Sequence, residues 1–311
     1  MSILDDLRAV SHAGTCPKCH YVLPPIAQAA PTYFDHGYIT CCRCGERVDV
    51  WDAVLTRMKI QPPVPTISLV CLGATTTHFE REITADKYHM IDLSEVGVPK
   101  DATVLQVGYT TQGVQGDPGV MPIELHGNVP QRRIIGNVLH LLGRALTSGD
   151  SLGTVSRVLI WVLWVPKDER ESWSYIVNGF DAFVAQHYDR VIVPAQSAVE
   201  ISTMPIIREL LERHASISNV KNFMGERLSF ANVVNVLLPF MCGQAAIPKL
   251  PDKIRDSLST LRAIRNNLVH RGLGGNEVTA GQAAEGLCAA VFGCEYARFV
   301  GPKLKAWLVT V

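Results

Sequence analysis

Arg265, Asn266 and His270 have residue types and a spacing that suit phosphate chemistry. Residues four apart are neighbours on a helix surface, so Asn266 and His270 are expected to share one face. Gly272 predicts that the helix ends just after His270. The partial negative charge at that end favours a protonated imidazole. An imidazolium near a guanidinium can hold a phosphodiester and stabilise the charge of its transition state.

The helical wheel predicts how far these side chains are buried. Arg265 lies on the flank of an apolar stripe, so its guanidinium should be partly buried and should need an anion or a hydrogen-bonded partner. Asn266 and His270 fall on the next, exposed face. Arg265 and His270 are about 140° apart on the wheel, so one helix cannot direct both at the same atom, whereas two antiparallel copies can. The apolar stripe consists of Ile254, Leu258, Leu261, Ile264 and Leu268.

A purely structural interpretation stays open, because an asparagine and a histidine near a helix end can simply cap it. The string RNxxxH nevertheless resembles the signature of the HEPN superfamily of RNases, and the resemblance covers residues 170–311. Residues 197–200, which end in Glu200, look like the acidic position on an earlier helix of that family. The Trp-Val-Pro at 164–166 is reminiscent of the ApeA-like branch, in which a β-rich region precedes the helices.

This resemblance implies a bundle of four or five helices that forms a homodimer with two motifs in one composite cleft. It also implies an endoribonuclease that uses no metal. The RNA 2′-hydroxyl attacks the adjacent phosphate, which gives a 2′,3′-cyclic phosphate and a 5′-hydroxyl. In that scheme His270 moves the proton, Arg265 binds the phosphate and Asn266 orients the pair. A toxin or anti-phage defence effector is the expected role, and RNA is the expected substrate.

Two alternatives accompany this interpretation. The first concerns Glu200, which either assists at the cleft or forms a salt bridge with Arg265 or Arg262. The second concerns the function as a whole: the dimer is catalytically silent and binds RNA or a nucleotide, or recruits a partner protein. Cleavage is the primary interpretation, because the sequence keeps both Arg265 and His270, and binding without cleavage is the alternative.

Two cysteine pairs near the start of the chain have the spacing of a metal site. Cys16 and Cys19 form one CxxC pair, and Cys41 and Cys44 form a second after 21 intervening residues. Each pair offers two thiolates on a tight turn, and four such ligands make a tetrahedral zinc site. Four thiolates close the coordination sphere and leave no position for a catalytic water, so the expected zinc is structural.

These pairs resemble the knuckles of the zinc ribbon family, in which a glycine follows the second cysteine. Gly45 fits that pattern, whereas His20 stands in the corresponding place of the first knuckle. Cys42 is a spare thiol, and His20 or His36 can replace one of the four cysteines as a ligand. The module either recognises a nucleic acid or a protein, or only staples a segment that is too small to fold without metal.

Composition limits the classes of function. The 29 basic residues equal the 29 acidic ones, so no global positive field attracts nucleic acid, and RNA binding has to use a local patch. Residues 1–10 lack the features of a signal peptide, and residues 158–165, the most apolar run, are too few to span a membrane. We therefore expect a cytoplasmic protein without a membrane partner.

The pattern along the chain predicts a multi-domain α+β protein. Residues 1–60 form the zinc ribbon with short flanking helices, and three prolines in 61–65 mark a boundary. Residues 66–166 form a β-rich domain that can bind a regulatory ligand or protein. Residues 170–311 form the all-α domain. Expected strands are 67–72, 103–110, 123–126 and 157–165, with one helix at 132–146, although Ile134 and Ile135 can also start a strand. Expected C-terminal helices are 172–186, 195–213, 228–241, 252–271 and 279–308, the last with a possible break near Gly293.

Overall fold

The structure is a computed structural model in which helices and strands are mixed and the C-terminal region is helical, as the sequence predicts. It describes residues 15–21, 23–24, 26–60, 75–111, 120–123, 134–135, 137–145, 154–165, 170–226, 228–271 and 278–310. The described residues of Met1–Gly73 and Glu171–Val311 form one compact unit, and those of Ala74–Arg170 form a second. In the described part of the chain, none of the helices combines the length and the apolar character that crossing a membrane requires.

The second unit contains two antiparallel sheets. The first has the order β3, β9, β5 and is formed by Thr75–Thr84, Val155–Val165 and Thr103–Thr111. The second has the order β4, β8, β6, formed by Tyr88–Asp92, Val138–Ala145 and Val120–Ile123, and β7 (Ile134–Ile135) also pairs with β8. Side chains from both sheets share one core, including Ile83, Leu139 and Ile160.

The helix predicted for 132–146 is wrong, because this stretch forms β7 and β8. Leu139 and Leu141 are buried while His140 and Leu142 are half-buried, which is the two-residue period of a strand. Pairing with β4 on one side and β6 on the other overrides the apolar spacing that also fits a helix. The predicted strand 67–72 lies outside the described residues, and so does most of 123–126.

The first unit begins with a short hairpin between two helices. Helix α1 is Ile26–His36, strands β1 (Ile39–Thr40) and β2 (Arg47–Val48) are antiparallel, and helix α2 is Val50–Ile60. The C-terminal helices are α3 (Arg170–Val184), α4 (Asp189–Glu212), α5 (Ile217–Glu226), α6 (Phe230–Asn232), the π-helical turn Val233–Leu237, α7 (Leu238–Gln244), α8 (Asp252–Arg271) and α9 (Ala280–Thr310). Helix α8 begins and ends where the sequence predicts, and α9 continues without a break through Gly293.

Glycines of α9 allow close packing against α4 and α8. A methyl group on Gly293 would lie 2.9 Å from Cγ1 of Val199 in α4 and 3.5 Å from Cδ1 of Leu258 in α8. Gly286 similarly faces Ile192 of α4 and Leu261 of α8. Residue numbers rise together along α4 and α9 but fall along α8, so α8 runs antiparallel to the other two.

The N-terminal helices share their core with α9. Trp51 of α2 and Tyr33 of α1 both meet the ring of Phe292 edge-on, with centroids 5.3 and 5.8 Å apart. Phe34 of α1 makes the same kind of contact with Tyr296 at 5.2 Å. The sequence assigns residues 1–60 to a unit of their own, whereas these rings are buried against the last helix of the chain. Short helices that cannot form a core alone are thus stabilised by packing against α9.

Candidate active site and metal centre

The four cysteines of the two CxxC pairs lie together in the first unit. The Sγ atoms of Cys16 and Cys44 are 3.6 Å apart, as are those of Cys19 and Cys41, and all four lie within 4.8 Å of one another. Tetrahedral bonds of about 2.3 Å to zinc place two sulfur atoms about 3.8 Å apart, so the cluster is compatible with a zinc site. Among the described residues, this cluster contains neither Cys42, whose side chain is exposed, nor a histidine.

The two knuckles have the same backbone turn despite their different sequences. The N–H of Gly45 donates to the carbonyl of Cys41, and the N–H of His20 donates to that of Cys16, both at 2.9 Å. Both turns end in the left-handed region, with φ of 72° at Gly45 and 56° at His20. A histidine in this conformation costs about 1–2 kcal/mol of conformational free energy, whereas a glycine adopts it without that cost. Hydrogen bonds from the backbone amides of Cys44 and Arg43 lower the pKa of the Cys41 thiol to about 7, which favours the thiolate that a metal needs.

Helix α8 brings Arg265 and Asn266 into contact. Nη1 of Arg265 donates to Oδ1 of Asn266 at 3.3 Å. Arg265 is half-buried, as the wheel predicts, whereas Asn266 is half-buried rather than on a fully exposed face. Residue 270 belongs to the same continuous helix, but its side chain is outside the described part of the structure. In the part of the chain that the structure describes, the hydrogen-bond partner of Arg265 is thus a neutral amide oxygen, and no carboxylate there offsets the guanidinium charge.

The apolar side chains of α8 are no longer fully buried in the hydrophobic core where the motif begins. Ile254, Leu258 and Leu261 of the apolar stripe are almost fully buried, with 0%, 2% and 1% of their surface exposed. Ile264 and Leu268, the last two members, are only half-buried. Val269, beside them, is 52% exposed. The motif therefore lies at the edge of the hydrophobic core, next to apolar side chains that remain accessible to solvent.

Glu200 does not lie beside Arg265. Gly293 contacts both Val199 and Leu258, so Glu200 is level with Leu258, seven residues and about 10 Å along α8 from Arg265. Its Oε1 accepts a hydrogen bond from Nε2 of Gln196 at 3.0 Å. Within the described residues, no salt bridge joins Glu200 to Arg262 or Arg265.

A polar link that the sequence did not predict connects the cysteine-bearing segment with α8. Nζ of Lys253, in the first turn of α8, lies 3.0 Å from Oδ2 of Asp49 and 2.7 Å from Oδ2 of Asp52. Asp49 directly follows β2, and its Oδ1 accepts from the hydroxyl of Tyr33 at 3.1 Å. These hydrogen bonds, first that of Asp52 and then that of Asp49, raise the pKa of Lys253 above its usual value. Charged residues 200 positions apart give no sequence signal that they meet.

No family model, no curated protein and no solved structure matches this chain. The resemblance to the HEPN superfamily therefore rests on the motif and its setting in α8.

Proposed function

We propose that the protein is a metal-independent endoribonuclease of the HEPN type that acts as a homodimer. Arg265, Asn266 and His270 are its catalytic residues. The observation that carries this proposal is the Arg265–Asn266 contact, which lies where the apolar side chains of α8 are no longer fully buried in the core. Among the described residues the hydrogen-bond partner of this half-buried guanidinium is a neutral amide, so its positive charge is available, and it lies where a phosphate can reach it.

The proposed reaction moves one proton and exchanges one bond. The 2′-oxygen of the RNA attacks the adjacent phosphorus, while His270 accepts the proton of the 2′-hydroxyl. The bond between phosphorus and the 5′-oxygen breaks, and the leaving oxygen takes up a proton from the imidazolium that formed when neutral His270 accepted the first proton. Arg265 stabilises the charge on the non-bridging oxygens, and Asn266 fixes the guanidinium through the hydrogen bond between them. The products are a 2′,3′-cyclic phosphate and a 5′-hydroxyl.

Two arguments support a dimer. Arg265 and His270 are about 140° apart around one helix, so a phosphate shared by both needs a second α8. The half-buried Ile264 and Leu268 and the exposed Val269 offer apolar surface next to the motif. A two-fold axis would place the same patch of both copies face to face, which is the usual arrangement in homodimers.

The metal centre has a structural role in this proposal. Cys16, Cys19, Cys41 and Cys44 would hold one Zn²⁺, with all four positions taken by thiolates. When bound, the metal would stabilise the β1–β2 hairpin and, through it, the position of Asp49. Zinc is therefore needed for folding and not for the cleavage step.

Cleavage and end chemistry test the proposal directly. Zinc-loaded wild type, Arg265→Ala and His270→Ala are incubated with total RNA in buffer without free divalent metal. Asn267→Ala is the matched control, since Asn267 is exposed and occupies a variable position of the RNxxxH string. We expect cyclic-phosphate ends from wild type and the control and intact RNA from the other two. Intact RNA with wild type contradicts the proposal, and a mobility shift without cleavage supports the silent binder instead.

A mixing experiment tests the composite cleft. Arg265→Ala and His270→Ala chains are co-expressed with different tags, so that about half of the dimers contain one chain of each kind. In such a dimer one of the two Arg265–His270 pairs that span the composite cleft is intact and the other is lost, so activity should recover to roughly a quarter of the wild-type value. No recovery, with mixed dimers confirmed by double affinity purification, contradicts a site shared between two chains.

A further inference from the structure

A pocket of about 630 Å³ lies between the first cysteine knuckle and helix α2. His20 of the knuckle, Arg47 of β2 and Arg57 of α2 are among the residues that line it. Its volume is within the range of sites for small organic ligands, which is about 300–1,000 Å³. The proposed nuclease does not use this pocket.

The net charge in and next to the pocket is about +1, because Arg47 and Arg57 offset Asp49 and Asp52, and Lys253 adds one positive charge. Asp49 and Asp52 line it as well, but Lys253 binds both carboxylates. Neither Arg47 nor Arg57 forms a salt bridge in the part of the chain that the structure describes. The guanidinium carbon of Arg47 lies 4.6 Å from the centre of the Tyr38 ring, a cation–π contact that holds this side chain in place. Two guanidinium groups without carboxylate partners favour an anionic ligand, and their planar donors suit a phosphate.

The remaining walls are suited to the uncharged part of a ligand. Val48 is buried and forms apolar lining together with Pro17 and Ala53. Hydroxyl groups of Thr15 and Thr56 add donors and acceptors. A bare inorganic anion would use the arginines but would leave the apolar walls and most of the volume unfilled. A flat ring with a phosphorylated sugar uses all three kinds of lining.

We infer that this pocket binds a nucleoside phosphate. Its phosphate meets Arg47 and Arg57, and its base lies against Val48, Pro17 and Ala53. The site is separate from the catalytic motif, because Lys253, which holds the pocket's carboxylates, is 12 residues and about 18 Å from Arg265 along α8. Two kinds of ligand present a nucleoside phosphate: a free nucleotide, or one unpaired nucleotide of an RNA strand.

Binding by the full-length zinc-loaded chain tests this inference independently of cleavage. ADP, a short oligoadenylate and inorganic phosphate are titrated by calorimetry, with His270→Ala as the background so that RNA remains intact. Arg47→Gln and Arg57→Gln each remove one cation, and we expect binding to weaken about tenfold or more, as for loss of a charge-assisted hydrogen bond. The matched control is Arg43→Gln, because Arg43 also stacks on a tyrosine of the same hairpin region but does not line the pocket.

The outcomes separate the two sources and the failure of the idea. Loss of ADP binding in both variants assigns a free nucleotide, and loss of oligoadenylate binding alone assigns RNA. Zinc content and circular dichroism must match the control, so that weakened binding does not reflect unfolding. The inference is overturned if the His270→Ala protein binds neither ADP nor oligoadenylate at millimolar concentration. It is also overturned if Arg47→Gln and Arg57→Gln bind these ligands as tightly as Arg43→Gln does. Cleavage can fail while this site binds, so the two proposals fail separately.

Discussion

A single methyl group on Gly293 should loosen the packing that positions the motif helix. An alanine Cβ at this position lies 2.9 Å from Cγ1 and 3.3 Å from Cγ2 of Val199, both closer than van der Waals contact allows. Valine is branched at Cβ and has one strongly preferred rotamer in a helix, so it cannot turn away cheaply. Leu258 of α8 is 3.5 Å from the same methyl, so backbone movement at Gly293 is transmitted to α8.

The size of the effect follows from two opposing terms. Replacing a helical glycine by alanine gains about 1 kcal/mol from backbone entropy, whereas overpacking a core costs about 1–3 kcal/mol. Gly293→Ala should therefore lower the free energy of unfolding by about 0–2 kcal/mol. Gly286→Ala is the matched control, because its Cβ makes a tight contact only with the end of the flexible Leu261 side chain, at 3.0 Å, and an ordinary contact with Ile192 at 3.7 Å. That variant should be neutral or more stable by up to about 1 kcal/mol.

Denaturant unfolding of four proteins measures this effect. These are wild type, Gly293→Ala, Val199→Ala and the double variant, because Val199→Ala removes both methyl groups that the new Cβ would strike. The double variant should be more stable than the sum of the single changes predicts, by about 1–2 kcal/mol. Additivity within about 0.5 kcal/mol, or a Gly293→Ala protein more stable than Gly286→Ala, would refute the packing argument.

Three further changes test other parts of the molecule. Cys44→Ser should abolish stoichiometric zinc in elemental analysis, whereas Cys42→Ser should retain it, since Cys44 belongs to the cluster and Cys42 does not. Trp51→Ala should cost about 3–5 kcal/mol in chemical denaturation, because this ring is 3% exposed and packs against Phe292. Lys253→Met should cost at most about 1 kcal/mol, because the side chain is 55% exposed. Because the pKa of Lys253 is raised, this difference from wild type should be constant from neutral pH to about pH 10.5 and should disappear above the raised pKa, and a difference that grows in alkali would contradict it.

The sequence predicted those parts of the fold whose signals are local. Helix α8 was placed correctly because Asp252 suits a first turn and Gly272 follows its last residue. The cysteine cluster was placed correctly because each CxxC pair fixes its own turn. Strand β8 was predicted as a helix, since the spacing of Leu139 and Leu142 fits both periods and only the neighbouring strands decide between them.

Long-range contacts account for what the sequence could not predict. The rings of Tyr33 and Trp51 meet Phe292 from more than 200 residues away, and no local pattern encodes that partner. The same applies to the two carboxylates that bind Lys253. Burial of Asn266 was underestimated because a wheel gives directions around one helix but not the shape of the surface near its end.

The packing of α1 and α2 on α9 sets an order for folding during synthesis. The ribosome makes the aromatic rings of the N-terminal helices first, but their partner Phe292 emerges only after the whole β-rich unit and α8 have been made. Contacts between residues so distant in sequence form late and at a high cost in loop closure. A nascent chain that already contains Arg265 and His270 therefore lacks the core that positions α8. The proposed nuclease would therefore have its motif positioned only when α9 is in place.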